Sequence, residues 1–206
     1  MKDLGKFQVI VADCPWRYQN WSDRKNGAAA ACYDTMTAQE IADIPVDMWA
    51  DKDCVLFLWG TWTQMKEALY VMEEWGFSLV TGVPWVKTVP SKGKIHTGVG
   101  FWVRGASEYL LVGRKGKLKR GKIDVIGLLH DFPQQFWAPI GEHSFKPIRV
   151  TTWIEYMFPE AKRLELFGRR ERAGWTVLGR KLGYDLGPWG VRPYVAKNPS
   201  EGIFHK

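Results

Sequence analysis

Residues 8–16 read Gln-Val-Ile-Val-Ala-Asp-Cys-Pro-Trp. The β-branched and apolar run suits a short strand buried in a sheet. Pro15 cannot donate to a ladder, so the strand ends at Asp13-Cys14. A carboxylate is thereby released from the carboxyl end of a buried strand, the edge at which open α/β sheets bind ligands.

Outward from that strand, further elements alternate. Thr37 with Glu40 makes a capping box for a short helix over 38–41, with a second turn near 46–49. Residues 54–59 form an apolar strand. A helix over 63–75 follows, with Met65, Leu69, Met72 and Trp75 on one stripe, and Gly76 stops it. Strands are predicted at 77–85, 107–112, 163–167 and 175–178, and a helix at 150–158. Residues 87–103 carry proline and glycines and read as a long loop, as do the polar, then alanine-rich, residues 17–31, which are expected to order on ligand binding. Strands alternating with helices predict an α/β fold: a mostly parallel sheet with helices on both faces. Asp13, Trp59, Lys87 and Gly168-Arg169 then share one edge. The expectation is a single domain over residues 1–206, with an irregular tail from about 187 to 206.

The totals narrow the function. The chain has 206 residues and a formal charge of +7, which favours a polyanionic partner. Its apolar runs are too short to span a bilayer, and its start lacks a secretion signal, so a cytoplasmic setting with no membrane contact is expected. Three cysteines at wide spacing suggest neither a zinc set nor a disulfide framework. Four scattered histidines suggest no metal site. Twelve tryptophans are many for this length; core filling and base stacking both account for such a count.

The Asp-Cys-Pro-Trp segment points to a particular chemistry. A carboxylate at Asp13 and a main-chain oxygen at Cys14 can hold the two hydrogens of an exocyclic amine and favour attack by its nitrogen. Pro15 sets the backbone, and Trp16 is placed either to stack on the base or to fill the core. The basic run 114–122 has six cations in nine positions. It reads as a phosphate-contacting loop, with Lys117, Lys119 and Arg120 at its centre, or as a solvated hairpin tip.

The segment resembles the Asp-Pro-Pro-Trp signature of the catalytic subunits of messenger RNA adenosine amino-methyltransferases and their bacterial and phage DNA-modifying relatives. The resemblance runs from about residue 7 to 182. Tyr33-Asp34-Thr35-Met36 resembles a segment that closes over the site. Leu58-Trp59, Trp75-Gly76-Phe77 and Trp85-Val86-Lys87 resemble three further pieces. So do Glu108 with the following Leu-Val-Gly strand, His143-Ser144-Phe145-Lys146-Pro147, Glu165-Leu166-Phe167-Gly168-Arg169, and Gly174-Trp175 with Gly179.

The resemblance implies a Rossmann-like S-adenosylmethionine-dependent methyltransferase sheet in permuted order, with the catalytic motif ahead of the cofactor motif. It implies S-adenosylmethionine as cofactor and adenine as target. DNA is expected ahead of RNA because the chain is compact, with RNA as the alternative and an inactive nucleic-acid-binding subunit as another. A phage-encoded enzyme would act in the bacterial host's cytoplasm, and a homodimer or partner subunit fits the family. Asp13, Cys14, Pro15 and Trp16 are the catalytic candidates. Asp13, Lys146, Pro147, Glu165, Arg169, Arg172, Arg180 and Lys181 are the cofactor candidates. Lys146 would pair with the methionine carboxylate, while Glu165 and Arg169 would meet ribose hydroxyls, or Glu165 would simply form a salt bridge. Arg180 and Lys181 stand where the family commonly has amides. Trp16, Tyr33, Lys87, Glu108, Lys117, Lys119 and Arg120 are the substrate-side candidates, with Glu108 ordering the substrate loop by pairing with a basic side chain.

Overall fold

The computed structural model describes residues 4–17, 35–90, 92–100, 102–118, 134–141, 145–187 and 190–193. At its centre lies β1 (Phe7–Ala12), whose Val9, Ile10, Val11 and Ala12 are all buried. Burial on both faces explains why this strand shows no polar alternation. It pairs in parallel with β2 (Ala50–Gly60) on one side and β6 (Arg163–Leu166) on the other.

Four further strands complete the sheet: β3 (Ser78–Thr88), β4 (Ser107–Lys115), β5 (Phe136–Pro139) and β7 (Trp175–Leu178). The order across its seven strands is β5-β3-β4-β2-β1-β6-β7. The parallel expectation holds for most pairs and fails at β4, which runs antiparallel to both β2 and β3. The cause is the connection. A parallel neighbour needs a crossover, usually helical, whereas the described residues between 89 and 106 contain no helix and return the chain directly alongside β3. The sequence does not signal β5; only four residues long, it pairs in parallel with the end of β3.

Side chains alternate across the sheet and feed two cores. Ile10, Ala12, Leu56, Leu58 and Leu111 face α1 (Ala38–Ala42) and α2 (Met65–Glu74), meeting Ile41, Val71, Met72 and Trp75. Val9, Val11, Phe57, Trp59, Trp85 and Leu110 face α3 (Ile148–Met157) through Val150, Ile154 and Met157. The capping box at α1 is present: Thr37 Oγ1 accepts from the Glu40 amide, and the Glu40 carboxylate accepts from the Thr37 amide at 2.7 Å. Trp16, Trp49, Trp59, Trp75 and Trp85 are core residues, whereas Trp62, Trp102 and Trp137 are exposed.

The tail expectation is corrected in part. β8 (Tyr184–Gly187) and β9 (Gly190–Pro193) form a two-stranded antiparallel ribbon. Gly190 at φ +87° supplies a left-handed conformation that other residues adopt at a cost. The loop expected over 17–31 lies outside the described residues, apart from its first residue.

Candidate active site

The carboxyl ends of β1, β2, β3 and β6 and the start of β4 meet at one edge. There Asp13, Trp59, Lys87, Glu108 and Gly168-Arg169 come together, as the sheet rule requires. Lys146, just before α3, completes the set. Its Nζ lies 2.8 Å from Asp13 Oδ1 and 3.4 Å from Glu108 Oε2, and sits 5.7 Å from the Trp59 ring centre. Glu108 Oε1 in turn accepts from Lys87 Nζ at 2.6 Å. Charges therefore alternate along a partly buried row: Lys87, Glu108, Lys146, Asp13.

Burial shapes these groups and the pairing overrides it. Enclosure alone would push Glu108 up, but the Lys146 and Lys87 ammonium groups hold it below its ordinary range. Enclosure would likewise lower Lys146, yet Asp13 and Glu108 more than offset this and raise it, so it stays an ammonium. Cys14 is buried, and that burial, reinforced by the neighbouring Asp13 charge, pushes its thiol well up. A neutral thiol is a poor nucleophile. The value of Cys14 lies in its main-chain oxygen, which accepts from the Trp16 amide at 2.9 Å and keeps a second lone pair.

Beside the row opens a cavity with an apolar floor of Val11, Trp59, Val150 and Phe167, walled by Phe145 and Pro147. Lys146, Arg169, Arg170 and Arg172 bring positive charge to it, against Asp13 and Glu165. The first turn of α3 (Pro147, Val150, Thr151) also lines it, so a helix amino terminus faces the space and favours an anionic group. Burial raises Glu165 despite Arg172 nearby at 3.5 Å. That separation leaves Glu165 Oε2 and Arg172 Nε enclosed without a hydrogen-bond partner among the described residues. They face each other as an ion pair too loosely aligned for a hydrogen bond, so each keeps capacity for a donor or acceptor on a bound molecule.

Two glycines shape this corner. A side-chain carbon at Gly168 would strike Val177, and one at Gly179 would strike the Gly168 carbonyl oxygen. The ends of β6 and β7 thus cross closely, joined by the Gly168 amide donating to the Leu178 carbonyl at 3.0 Å. Phe167, between strand and cavity, sits at φ +63°, a strained conformation of the kind that gathers at functional sites.

Several expected residues are engaged within the protein or stand away from the cavity. Trp16 is 4% exposed and its Nε1 donates to the Trp59 carbonyl at 3.1 Å. It is a core residue that ties the Asp-Cys-Pro-Trp segment to β2, not an open stacking face. Lys87 is paired with Glu108, with the Trp85 ring 5.4 Å from its Nζ, so it belongs to the charged row rather than standing alone at the strand end. Arg172 donates to Thr151 Oγ1 at 2.9 Å and serves to brace Glu165. Arg180 pairs with Asp185 at 2.8 Å, and neither it nor Lys181 lines the cavity. Lys117 lies past the far end of β4, more than roughly 20 Å along the strand from Glu108. Tyr33, Lys119 and Arg120 lie outside the described residues. Sequence reasoning missed Phe145, Arg170 and Thr151. Their signal was adjacency: Phe145 precedes Lys146, Arg170 follows Arg169, and Thr151 lies one turn into the helix that Pro147 begins.

Among the described residues no group of His, Cys, Asp and Glu could hold a metal ion, and no helix is long and apolar enough to cross a membrane. The MT-A70 family matches residues 7–181. The Mycoplasma "Type II methyltransferase M.MunI" is 31% identical over 86% of this chain and 78% of its own length. The rice "Probable N(6)-adenosine-methyltransferase MT-A70-like" is 32% identical over 98% of this chain, and the human "N(6)-adenosine-methyltransferase catalytic subunit METTL3" 32% over 87%. This chain spans only 27% and 29% of those two proteins. The cavity's polar orphans, apolar floor and cationic wall fit a nucleoside joined to an amino acid, and by these matches the chain belongs to the MT-A70 family of S-adenosylmethionine-dependent methyltransferases.

Proposed function

We propose that the protein methylates the exocyclic N6 amine of adenine within a nucleic acid. The observation that carries this is the Asp13 carboxylate, fixed by Lys146 at the mouth of the cofactor cavity beside the Cys14 main-chain oxygen. Bound in the cavity, S-adenosylmethionine supplies an electrophilic methyl group on a sulfonium. Lys146, the helix terminus and Arg169 suit its carboxylate and ribose, and Glu165 suits a hydroxyl donor.

The adenine amine is a weak nucleophile because its lone pair is delocalised into the ring. Asp13 and the free lone pair of the Cys14 oxygen would accept its two hydrogens and turn the lone pair toward the methyl carbon. The nitrogen–carbon bond forms as the carbon–sulfur bond breaks, the electron pair leaves on the thioether product, and the surplus amine proton is lost to solvent. This is stabilisation by groups already in place. Lys146 positions Asp13, and Glu108 with Lys87 positions Lys146. The base must leave its stack to reach this edge, so the substrate is single-stranded or the base is extruded.

The polymer is the finer question. The plant and animal relatives carry N(6)-adenosine in their names, and this supports an RNA substrate ahead of the DNA that was expected. The DNA reading stays as the second: the Mycoplasma relative is named a Type II methyltransferase, with no RNA nucleoside in its name, and this chain covers 78% of its length. Incubation with labelled cofactor and pools of either polymer, followed by digestion to nucleosides, separates them. N6-methyladenosine supports RNA and N6-methyldeoxyadenosine supports DNA. No labelled nucleoside from either pool would contradict the proposal.

A further inference from the structure

Trp62 follows β2 at the same edge as Asp13, in a short 3-10 turn over Trp62–Gln64, and half of its surface (51%) faces solvent. Exposed tryptophans are usually free to turn. This one is held. Its Nε1 donates to Ser107 Oγ at 2.8 Å, and its ring meets that of Tyr109 at 5.4 Å in an edge-on arrangement. Tyr109 is itself 1% exposed. It packs there because Gly60 has no side chain: a carbon at that position would come within 2.5 Å of the phenol oxygen. From the same turn, Gln64 Nε2 donates to the Arg17 carbonyl at 3.2 Å, one residue beyond the Asp-Cys-Pro-Trp segment.

The position relative to the reaction follows from the strand register. Ser107 and Tyr109 flank Glu108, the residue paired with Lys146. Alternation puts Ser107 and Tyr109 on the α1–α2 side of the sheet, while Glu108 and Asp13 face the α3 side. Trp62 is thus beside the reacting edge but not in the cofactor cavity. A rigid indole with its N–H already satisfied offers an aromatic surface and no further hydrogen bond, so it suits any base.

We propose that Trp62 is the stacking platform for a nucleobase neighbouring the adenine that is methylated, with Ser107 and Tyr109 as its positioning residues. This rests on the nucleic-acid reading above and adds a binding residue outside the methyl-transfer centre. Once the methylated adenine has been mapped in an oligonucleotide, Trp62→Ala is expected to raise the oligonucleotide KM about tenfold, the scale of one base–aromatic stack, with cofactor affinity within twofold of wild type. Trp62→Phe restores most of the loss. Where the alanine variant folds poorly, Ser107→Ala, which frees the indole without deleting it, should raise KM severalfold.

A purely structural role would not pass a second test. An abasic residue beside the target should weaken binding to the wild type and cost nothing further in Trp62→Ala. An unchanged KM in both variants, or an abasic penalty of equal size in wild type and Trp62→Ala, overturns the platform while leaving the methyltransferase reading intact. Absence of methylation of any nucleic acid by the wild type overturns both.

Discussion

The two ends of β4 carry charge in opposite ways. At its start Glu108 is 8% exposed and bonded to two lysines, in a row that ends on Asp13. At its end Arg114 is exposed, and the following turn is held by the Lys117 amide donating to Asp53 Oδ1 at 2.6 Å. The Lys117 ammonium has no carboxylate partner among the described residues. One strand thus separates a precisely placed charge from a solvated one. Charge count alone, +7 over the chain, makes no such distinction. Enclosed ion pairs fix geometry and are costly to break, whereas exposed cations act on a polyanion at a distance and are screened by salt.

That contrast can be broken most severely at Asp13. Asp13→Asn, which removes the charge and turns one acceptor oxygen into a donor, should lower the methyl-transfer rate by about a hundredfold or more, the scale of losing one placed hydrogen-bonding group, as read by label incorporation at saturating substrates. Next comes Lys146→Met. It removes the ammonium partner of Asp13 and leaves Glu108 with Lys87 alone, and should cost about 3 kcal/mol, a fall in Tm of about 10 °C in a chain of this size.

Glu108→Gln sharpens the comparison through pH. The folded-state pKa of Glu108 is depressed, so its contribution to stability is present above the ordinary 4.5 and lost as pH falls through the lower folded value. The Tm gap between wild type and this variant should be wide at pH 7 and should close progressively below about pH 4.5. A gap independent of pH would contradict the pairing. Trp16→Phe leaves the Trp59 carbonyl without its indole donor and should cost roughly 1–3 kcal/mol by denaturant melting. The smallest effect is expected at the far end. Lys115→Gln with Lys117→Gln should leave kcat and Tm nearly unchanged. The pair should flatten the salt dependence of nucleic-acid binding by about one unit of slope for each phosphate no longer neutralised.

Much of this was legible because local chemistry and fold agree. The apolar run into Asp13-Cys14-Pro15-Trp16 announced both a central strand and the site at its end. The capping box at Thr37 and Glu40 marked α1, and residues 175–178 formed a strand with the expected bounds. What was not legible came from long-range pairing. Lys146 meets Asp13 across 133 residues, so its role as the carboxylate's holder is invisible to spacing. The reversed β4 and the short β5 depend on which strand edge lies open, a property of the assembled sheet. Trp16 has the composition of a stacking residue; only the carbonyl of Trp59, 43 residues away, makes it a core residue. Lys117 has the composition of a phosphate-binding residue, but the register puts it at the wrong end of its strand for the reacting edge.

The account stands on an amine held by Asp13 and the Cys14 oxygen. The most direct check is an oligonucleotide in which the target adenine is replaced by purine, identical except for the missing NH2 group. Methyl transfer to this substrate should fall to background while cofactor binding persists. Continued transfer at the rate of the adenine substrate would place the methyl group on another atom and contradict the mechanism.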